Sequence, residues 1–468
     1  MFPKVFDKRI TRISLSIWGI ITLLAIGVII FSDPTYRLFG DYSVLKQGPL
    51  SDIGITYLFV GMAWLLIGSL IILLHTGIIS GKNLLFFVPF YLYAFLYVNI
   101  LRERFQYGDL VAYIRAAFNL HLGEPFYSRY IYPPLWASIL EPMIFLGGGF
   151  LAFLLLALNY LSLLLFFILL YLMLKRFGFE RLPAVIMTFL ALVANVSIMR
   201  TLGYVQINLH VINLILLSLL LFPRRIWLSA LALALAGHLK VSPLILIIPF
   251  ILGKEWRWLI YFTLFTTGII FITSAMHGFE YYSYFIHNLM NNEYILNFEF
   301  RDFSFDSLIR ATLTQFGFNV FLAPYFIWPI KFIIASIGIA VAFKATKSNI
   351  FYDGNNRENA VFNSAIICLF LMVILSPLVW VHHAVFLIFP CLILSKRIAS
   401  AGQLLIFLGA YIAIFLIPTF DFYPFSYIRT IGVILCLILA LIFTLKPMTD
   451  DTWLNRFNSM SEKLFRNS

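Results

Sequence analysis

Long apolar runs separated by short polar punctuation make up most of this chain, and the length of the runs is its first informative quantity. A helix needs about 20 apolar residues to cross a bilayer core, fewer when it is short or re-entrant. Runs of that kind occupy residues 13–31, 55–74, 84–101, 150–174, 184–199 and 205–222. Others follow at 226–252, 258–275, 328–343, 361–379, 381–395, 404–417 and 428–445. The run 226–252 carries His238, Lys240 and Pro243 at its middle, which predicts two short helices meeting at a polar break. Residues 135–146 are too few to cross and contain Pro142, so they are expected to be re-entrant. The pattern predicts an all-α polytopic membrane protein of about 12–14 spans.

Composition agrees with that reading. The 468 residues are 62% hydrophobic and 12% charged, where a soluble domain has about 45–50% apolar and about 25% charged residues. Lipid must therefore solvate most of the chain, and no polar stretch is long enough to bury a core of its own. A net charge of +12 would suggest nucleic acid in a soluble protein. Here the basic residues fall largely in short inter-helix loops, where they set topology and meet anionic headgroups. Nucleic acid is not an expected partner; the bilayer is. Cys368, Cys391 and Cys436 all sit in apolar runs without metal-ligand or CxxC spacing, and they read as small buried hydrophobes.

Charge also orients the bundle. Lys4, Lys8, Arg9 and Arg12 precede the first run, which is longer than a signal-peptide core and has no small-residue cleavage site after it. It reads as a retained span with a cytoplasmic N-terminus. Lys175, Arg176, Arg181, Arg224, Arg225, Lys344, Lys347, Lys396, Arg397 and Lys446 then all fall inside. Lys254 and Arg257 join them only if 226–252 crosses twice. The expected organisation is a tail with two additional spans over 1–83, a bundle over 84–446 and a short cytoplasmic tail over 447–468. Four irregular, polar-aromatic segments share the outer face: 102–134, 200–205, 276–315 and 380–383. Long loops of that kind tend to carry function, so the chemistry is expected outside, in an integral membrane protein of the cell or cytoplasmic membrane.

Within those segments a few side chains stand out. Asp109 lies beyond the end of an apolar run; a carboxylate there suits a general base that deprotonates an alcohol, or an N-cap for a helix starting at Leu110. Lys240 lies inside an apolar stretch, where a lysine either faces the bundle interior or snorkels to the interface. With neighbouring His238 it suits an anionic leaving group. His382 and His383 follow Trp380; adjacent residues on a helix point about 100° apart and converge poorly on one ion, so no metal site is expected. Arg102, Arg104 and Arg200 lie outside against the charge rule, as phosphate contacts or as ordinary interfacial arginines. Asp302 and Asp306 are possible acceptor contacts in the long outer loop.

The run Gly108-Asp109-Leu110-Val111-Ala112-Tyr113-Ile114-Arg115, followed by Gly123, Pro125, Tyr127 and Tyr132-Pro133-Pro134, resembles the first outer loop of glycosyltransferase family 87. The likeness continues through Gln206 and Asn208, Gly237-His238-Leu239-Lys240-Val241-Ser242-Pro243, and Ser376-Pro377-Leu378-Val379-Trp380-Val381-His382-His383, in the family's order. The family usually has Gly where Val205 stands and often Asp where Val381 stands. The resemblance implies a GT-C-type bundle with an extracytoplasmic active site and a polyprenyl-phosphate sugar donor, with mannose as its sugar. It implies a glycan or glycolipid acceptor and inverting single displacement with Asp109 as base. Lys240, His238, His382, His383 and Arg200 would meet the donor phosphate, and Tyr113, Arg115, Tyr132, Gln206, Asn208 and Trp380 would line the cavity. No cofactor is implied. Two rivals are a flippase of lipid-linked sugars and an O-antigen-ligase-like transferase using a lipid diphosphate. The first should show inverted repeats and midplane charges; the second should show a large outer loop rich in arginine and histidine.

The topology can be checked directly. A cysteine at Ser128 should react with a membrane-impermeant thiol reagent in intact cells; reaction only after permeabilisation would invert the bundle.

Overall fold

The computed structural model describes residues 108–128, 130–193, 195–291, 302–417 and 423–445, with a few isolated positions between 15 and 72. Apart from those positions, the expected spans 13–31, 55–74 and 84–101, Arg102, Arg104 and the tail 447–468 lie outside the described residues. In chain order the helices are α1 (Gly108–Leu122), α2 (Pro134–Leu140), α3 (Gly148–Arg176), α4 (Arg181–Val193), α5 (Val196–Gly203) and α6 (Asn208–Leu221). Next come α7 (Ile226–Leu239), α8 (Ile247–Leu252), α9 (Trp256–His277), α10 (Glu280–Met290) and α11 (Phe305–Gln315). The last are α12 (Ala323–Ala345), α13 (Asn356–Ile374), α14 (Ile388–Ser395), α15 (Ala401–Phe415) and α16 (Ile428–Leu445). Described strand content is one two-residue pairing, Tyr36–Arg37 with Gly40–Asp41.

The protein is an all-α polytopic membrane bundle. Five described helical segments are long and apolar enough to cross a bilayer, and α4 with α5, bent by 55°, makes a sixth. The runs at 205–222, 226–252, 381–395 and 404–417 form shorter apolar helices. Burial separates the staves: the apolar window of α13 is 94% buried and that of α9 only 11%. A helix apolar all round and covered all round is a central stave; α9 presents its side chains to lipid. Around α13 pack α8, α12 and α16. Helices in lipid gain little from hydrophobicity against one another and associate through close packing. Gly432 on α16 shows how close: a Cβ there would stand 2.9 Å from the Ala410 carbonyl oxygen of α15.

The break expected in 226–252 is present. α7 stops at Leu239, Lys240 is extended with φ −155° and ψ 135°, and its N–H still donates to Ala236 O at 2.9 Å. Pro243 has no N–H to offer, and a 3-10 turn, Ser242–Leu246, leads into α8. The segment 276–315, expected as an irregular outer loop, differs from expectation. Instead of an irregular loop it contains α10 and α11, the latter capped by Ser304 Oγ accepting from Ser307 N–H at 3.1 Å. Its Asn and Tyr residues partly face protein, so a polar composition conceals helices.

Away from the helix break, Arg176 closes the end of α6. Its guanidinium donates to Leu219 O at 3.2 Å, Leu220 O at 2.7 Å and Phe222 O at 2.7 Å, and pairs with Glu358 at 3.1 Å. The last carbonyls of any helix lack intrahelical partners, and here one side chain serves three of them while tying α3, α6 and α13 together. Arg176→Ala should lower unfolding stability in detergent by about 2–3 kcal/mol. The exposed control Arg224→Ala should stay within about 0.5 kcal/mol; equal losses would refute the clamp.

Candidate active site

The described site forms where α5 turns into α6. Asn195 starts α5 by accepting from Ser197 N–H at 2.9 Å and Ile198 N–H at 3.2 Å. After α5 the chain reverses through Val205, whose φ of 53° lies in the left-handed region. A β-branched side chain is strained there. The turn is held by Gln206 N–H donating to Thr201 O at 2.8 Å. Its effect is to bury Gln206 with its side-chain oxygen toward α1. Tyr113 and Tyr132 both donate hydroxyl protons to Gln206 Oε1, each at 3.3 Å, and Tyr113 Oη accepts from Ile207 N–H at 3.3 Å. The two tyrosine rings meet edge to face at 5.2 Å.

One residue into α6's first turn, Asn208 links the remaining parts. Its Nδ2 donates to His382 O at 3.2 Å, which leaves Oδ1 to accept from Lys240 Nζ at 2.9 Å. Lys240 Nζ also contacts His383 Nε2 and stands 6.0 Å from the centre of the Tyr132 ring. The other nitrogen of His383, Nδ1, accepts from Trp380 N–H at 3.0 Å. A neutral imidazole that accepts at Nδ1 carries its proton on Nε2. In the contact with Lys240, Nε2–H is therefore the donor and the lysine amine the acceptor, and the two nitrogens lie side by side where an anionic oxygen would meet both.

Asp109 lies within electrostatic reach of Lys240, Tyr113 and Tyr132. It is itself helical within the described Gly108–Leu122, rather than a cap on a helix starting at Leu110. The side chain is half-buried. Desolvation pushes its carboxyl up to about 6, opposed by the nearby Lys240 ammonium. Such a carboxylate is ionised at neutral pH yet basic enough to take a proton.

The other expected residues divide. His382 joins the cluster through its carbonyl, its ring 4.6 Å from that of His383. Arg200 lies within electrostatic reach of His382 and donates to Tyr204 Oη at 3.3 Å. Trp380 contributes its backbone N–H. His238, by contrast, hydrogen-bonds the Thr266 backbone on α9 and leaves Lys240 to His383. Arg115 is exposed on the far side of α1, 4.4 Å over the Tyr127 ring. Asp302 and Asp306 are internal. Asp302 accepts from Val379 N–H, Ser304 N–H and Ser304 Oγ–H at 2.8–2.9 Å, and Asp306 pairs with Lys331. Burial pushes Asp302 up to about 7 against the pull of its donors. Among the described residues no cluster of three His, Cys, Asp or Glu side chains suits a metal ion.

Sequence reasoning passed over Asn288. From α10 its Nδ2 donates to Tyr127 O at 3.0 Å and Tyr130 O at 3.2 Å, so α10 fastens the stretch after α1 beside Tyr132. One Asn among several in a Tyr-rich stretch gives no local sign of that.

The model of glycosyltransferase family 87 matches residues 130–377, just over half of the chain. The matched segment includes Tyr132, Arg200, Gln206, Asn208 and Lys240; Asp109 and Tyr113 precede it, and Trp380, His382 and His383 follow within a few residues. No curated protein matches the chain.

The strained turn gives a test of this geometry. Val205 is also buried in the core, so Val205→Gly should cost less than the roughly 1.5–3 kcal/mol of a buried valine side chain, because relief of the left-handed strain offsets part of the loss. Val205→Ala keeps the strain and should cost more than Val205→Gly; the reverse order would mean that the turn does not hold Gln206 as described.

Proposed function

The chain belongs to glycosyltransferase family 87 and is thus a membrane glycosyltransferase, and we propose that it moves a sugar from a polyprenyl-phosphate donor to an acceptor hydroxyl. The observation that carries this reading is the closeness of the Asp109 carboxyl to the hydrogen-bonded pair of Lys240 and His383. A sugar on a lipid phosphate leaves as a phosphate monoester, so fixed donors must meet the charge that grows on the bridging oxygen. The acceptor must lose a proton as its oxygen attacks, so a base must stand across from them. The sugar's anomeric carbon sits between the two.

In the proposed step Asp109 takes the hydroxyl proton and the acceptor oxygen forms a bond to the anomeric carbon. The bond from that carbon to the phosphate oxygen breaks, and its electron pair leaves with the lipid phosphate. One displacement inverts the anomeric configuration. Lys240 Nζ and His383 Nε2–H receive the phosphate, with Arg200 extending the positive region beside His382. Tyr113, Tyr132 and Gln206 form the polar wall beside Asp109. Mannose is the sugar we propose, a glycan or glycolipid the acceptor, and the extracytoplasmic face the side of the reaction. The resemblance of the four ordered motifs supports each of these choices. A flippase would leave a half-buried carboxylate of raised basicity without a task.

Purified protein with defined polyprenyl-phosphate sugars and candidate acceptors, read by mass spectrometry, tests the reaction. Asp109→Asn should slow transfer by roughly 10²–10⁴-fold. It should leave donor binding intact and cost little stability, since a first-turn carboxylate contributes about 0.3–1 kcal/mol. Below pH about 6 the wild-type carboxyl is protonated and cannot accept a proton, so kcat/KM should fall with pH there. Transfer by Asp109→Asn within a few-fold of wild type would remove Asp109 as base.

A further inference from the structure

Asp302 is 1% exposed, and its carboxylate is spent on Val379 and Ser304. It cannot reach a substrate, yet it stands two bonds of structure away from His383. The stretch between α13 and the 3-10 turn Val381–Leu387 is not helical and has no hydrogen-bond ladder of its own. The outer segment supplies one. Asp302 and Trp380 pair as an isolated antiparallel bridge, Val379 N–H donates to Asp302 Oδ1 at 2.8 Å, and Phe303 N–H donates to Val379 O at 2.9 Å. Ser304 N–H and Oγ–H complete the set at 2.9 and 2.8 Å and fix the carboxylate itself.

The planarity of the peptide group carries this further. Val379 C=O and Trp380 N–H belong to one peptide unit, so whatever aims the first aims the second. Phe303 holds the carbonyl; the N–H on the opposite edge then points at His383 Nδ1, 3.0 Å away. His383 closes the ring by donating its own N–H to Trp380 O at 2.8 Å. With Nδ1 kept as an acceptor, the imidazole proton stays on Nε2 and is donated to the Lys240 amine.

We infer that Asp302 is a positioning residue: its hold on Val379 N–H keeps the Phe303–Val379 bridge in place, so that Trp380 N–H stays aimed at His383 Nδ1 and fixes the Nε2–H tautomer. This rests on the donor-phosphate reading of His383 for its catalytic meaning but not for its geometry. Cutting the tether frees the peptide to tilt, and a displaced donor at a reacting group can cost up to about 10²-fold in rate.

Two measurements on full-length protein in detergent test it. The first is the 15N spectrum of protein labelled at histidine, assigned at His383 by its alanine variant. Wild type should show the Nε2–H pattern, and Asp302→Ala should show a mixture; an unchanged pattern in Asp302→Ala overturns the inference whatever His383 does in catalysis. The second is a double-mutant cycle on kcat. Asp302→Ala should cost about 10–100-fold alone and less than about 3-fold in a His383→Ala background. Equal losses in both backgrounds would make Asp302 an independent structural residue and overturn the inference. Asp302→Asn, which still accepts from Val379 N–H, should restore most of the rate. Wild-type transfer by His383→Ala would instead defeat the donor-phosphate reading, and the spectrum alone then decides the tautomer claim. Where Asp302→Ala does not fold, Asp302→Ser takes its place in both measurements: its hydroxyl serves Ser304 but falls short of Val379.

Discussion

A positive charge at the end of an apolar helix has to be answered by its neighbours, and much of the bundle's irregular structure is that answer. Lys240 ends α7, and its amine reaches Asn208 and His383 while Asp109 lies near enough to feel its field. Leaving such a group without partners costs several kcal/mol in hydrocarbon surroundings. Each partner demands its own departure from regular helix. Lys240 needs α7 to stop and the chain to run extended; Asn208 needs a sharp reversal between α5 and α6; His383 needs the non-helical stretch after α13. Backbone of that kind is tolerated at membrane depth only where protein covers it or polar groups line it. The irregular segments gather because the charge gathers them.

How much of this was legible in the sequence depends on the range of the interaction concerned. The apolar runs gave the long staves, since length against bilayer thickness is a local property. His238, Lys240 and Pro243 in one run gave the break for the same reason. The grouping of Tyr113, Tyr132, Gln206, Asn208, Lys240 and His383 came from the family resemblance, because nothing local joins residues so far apart. Two expected members lie apart from that grouping: His238 bonds the Thr266 backbone on α9, and Arg115, two positions from Tyr113 on α1, points outward as residues two apart on a helix do. The helices in 276–315 were hidden because hydropathy reports lipid contact, and α10 and α11 are amphipathic elements outside the long apolar runs. Asp302 showed its short-range half: an Asp two residues before a Ser favours a local turn. Its bond to Val379 had no sequence signature.

Arg176 illustrates how one residue can satisfy two constraints at different scales. In the sequence it belongs to the basic flanks that orient a membrane protein. In the fold it also supplies protons to three carbonyls at the end of α6 and a partner to Glu358. Its guanidinium further covers the Phe362 ring at 4.6 Å, so the charge is spread over an apolar contact as well as polar ones. A planar fork of five donors can do this, where a lysine at the same place would offer one point of charge.

Val205 bears on how relatedness is written into chains of this kind. The position before Gln206 adopts a backbone shape that glycine enters freely, and here a branched residue adopts it too. What the site requires is the reversal that turns Gln206 toward two tyrosines; glycine is the easiest way to obtain it, and its identity is secondary. A pattern that demanded glycine at this one position would pass over the chain, while the match that spans the position tolerates the change because the reversal survives it.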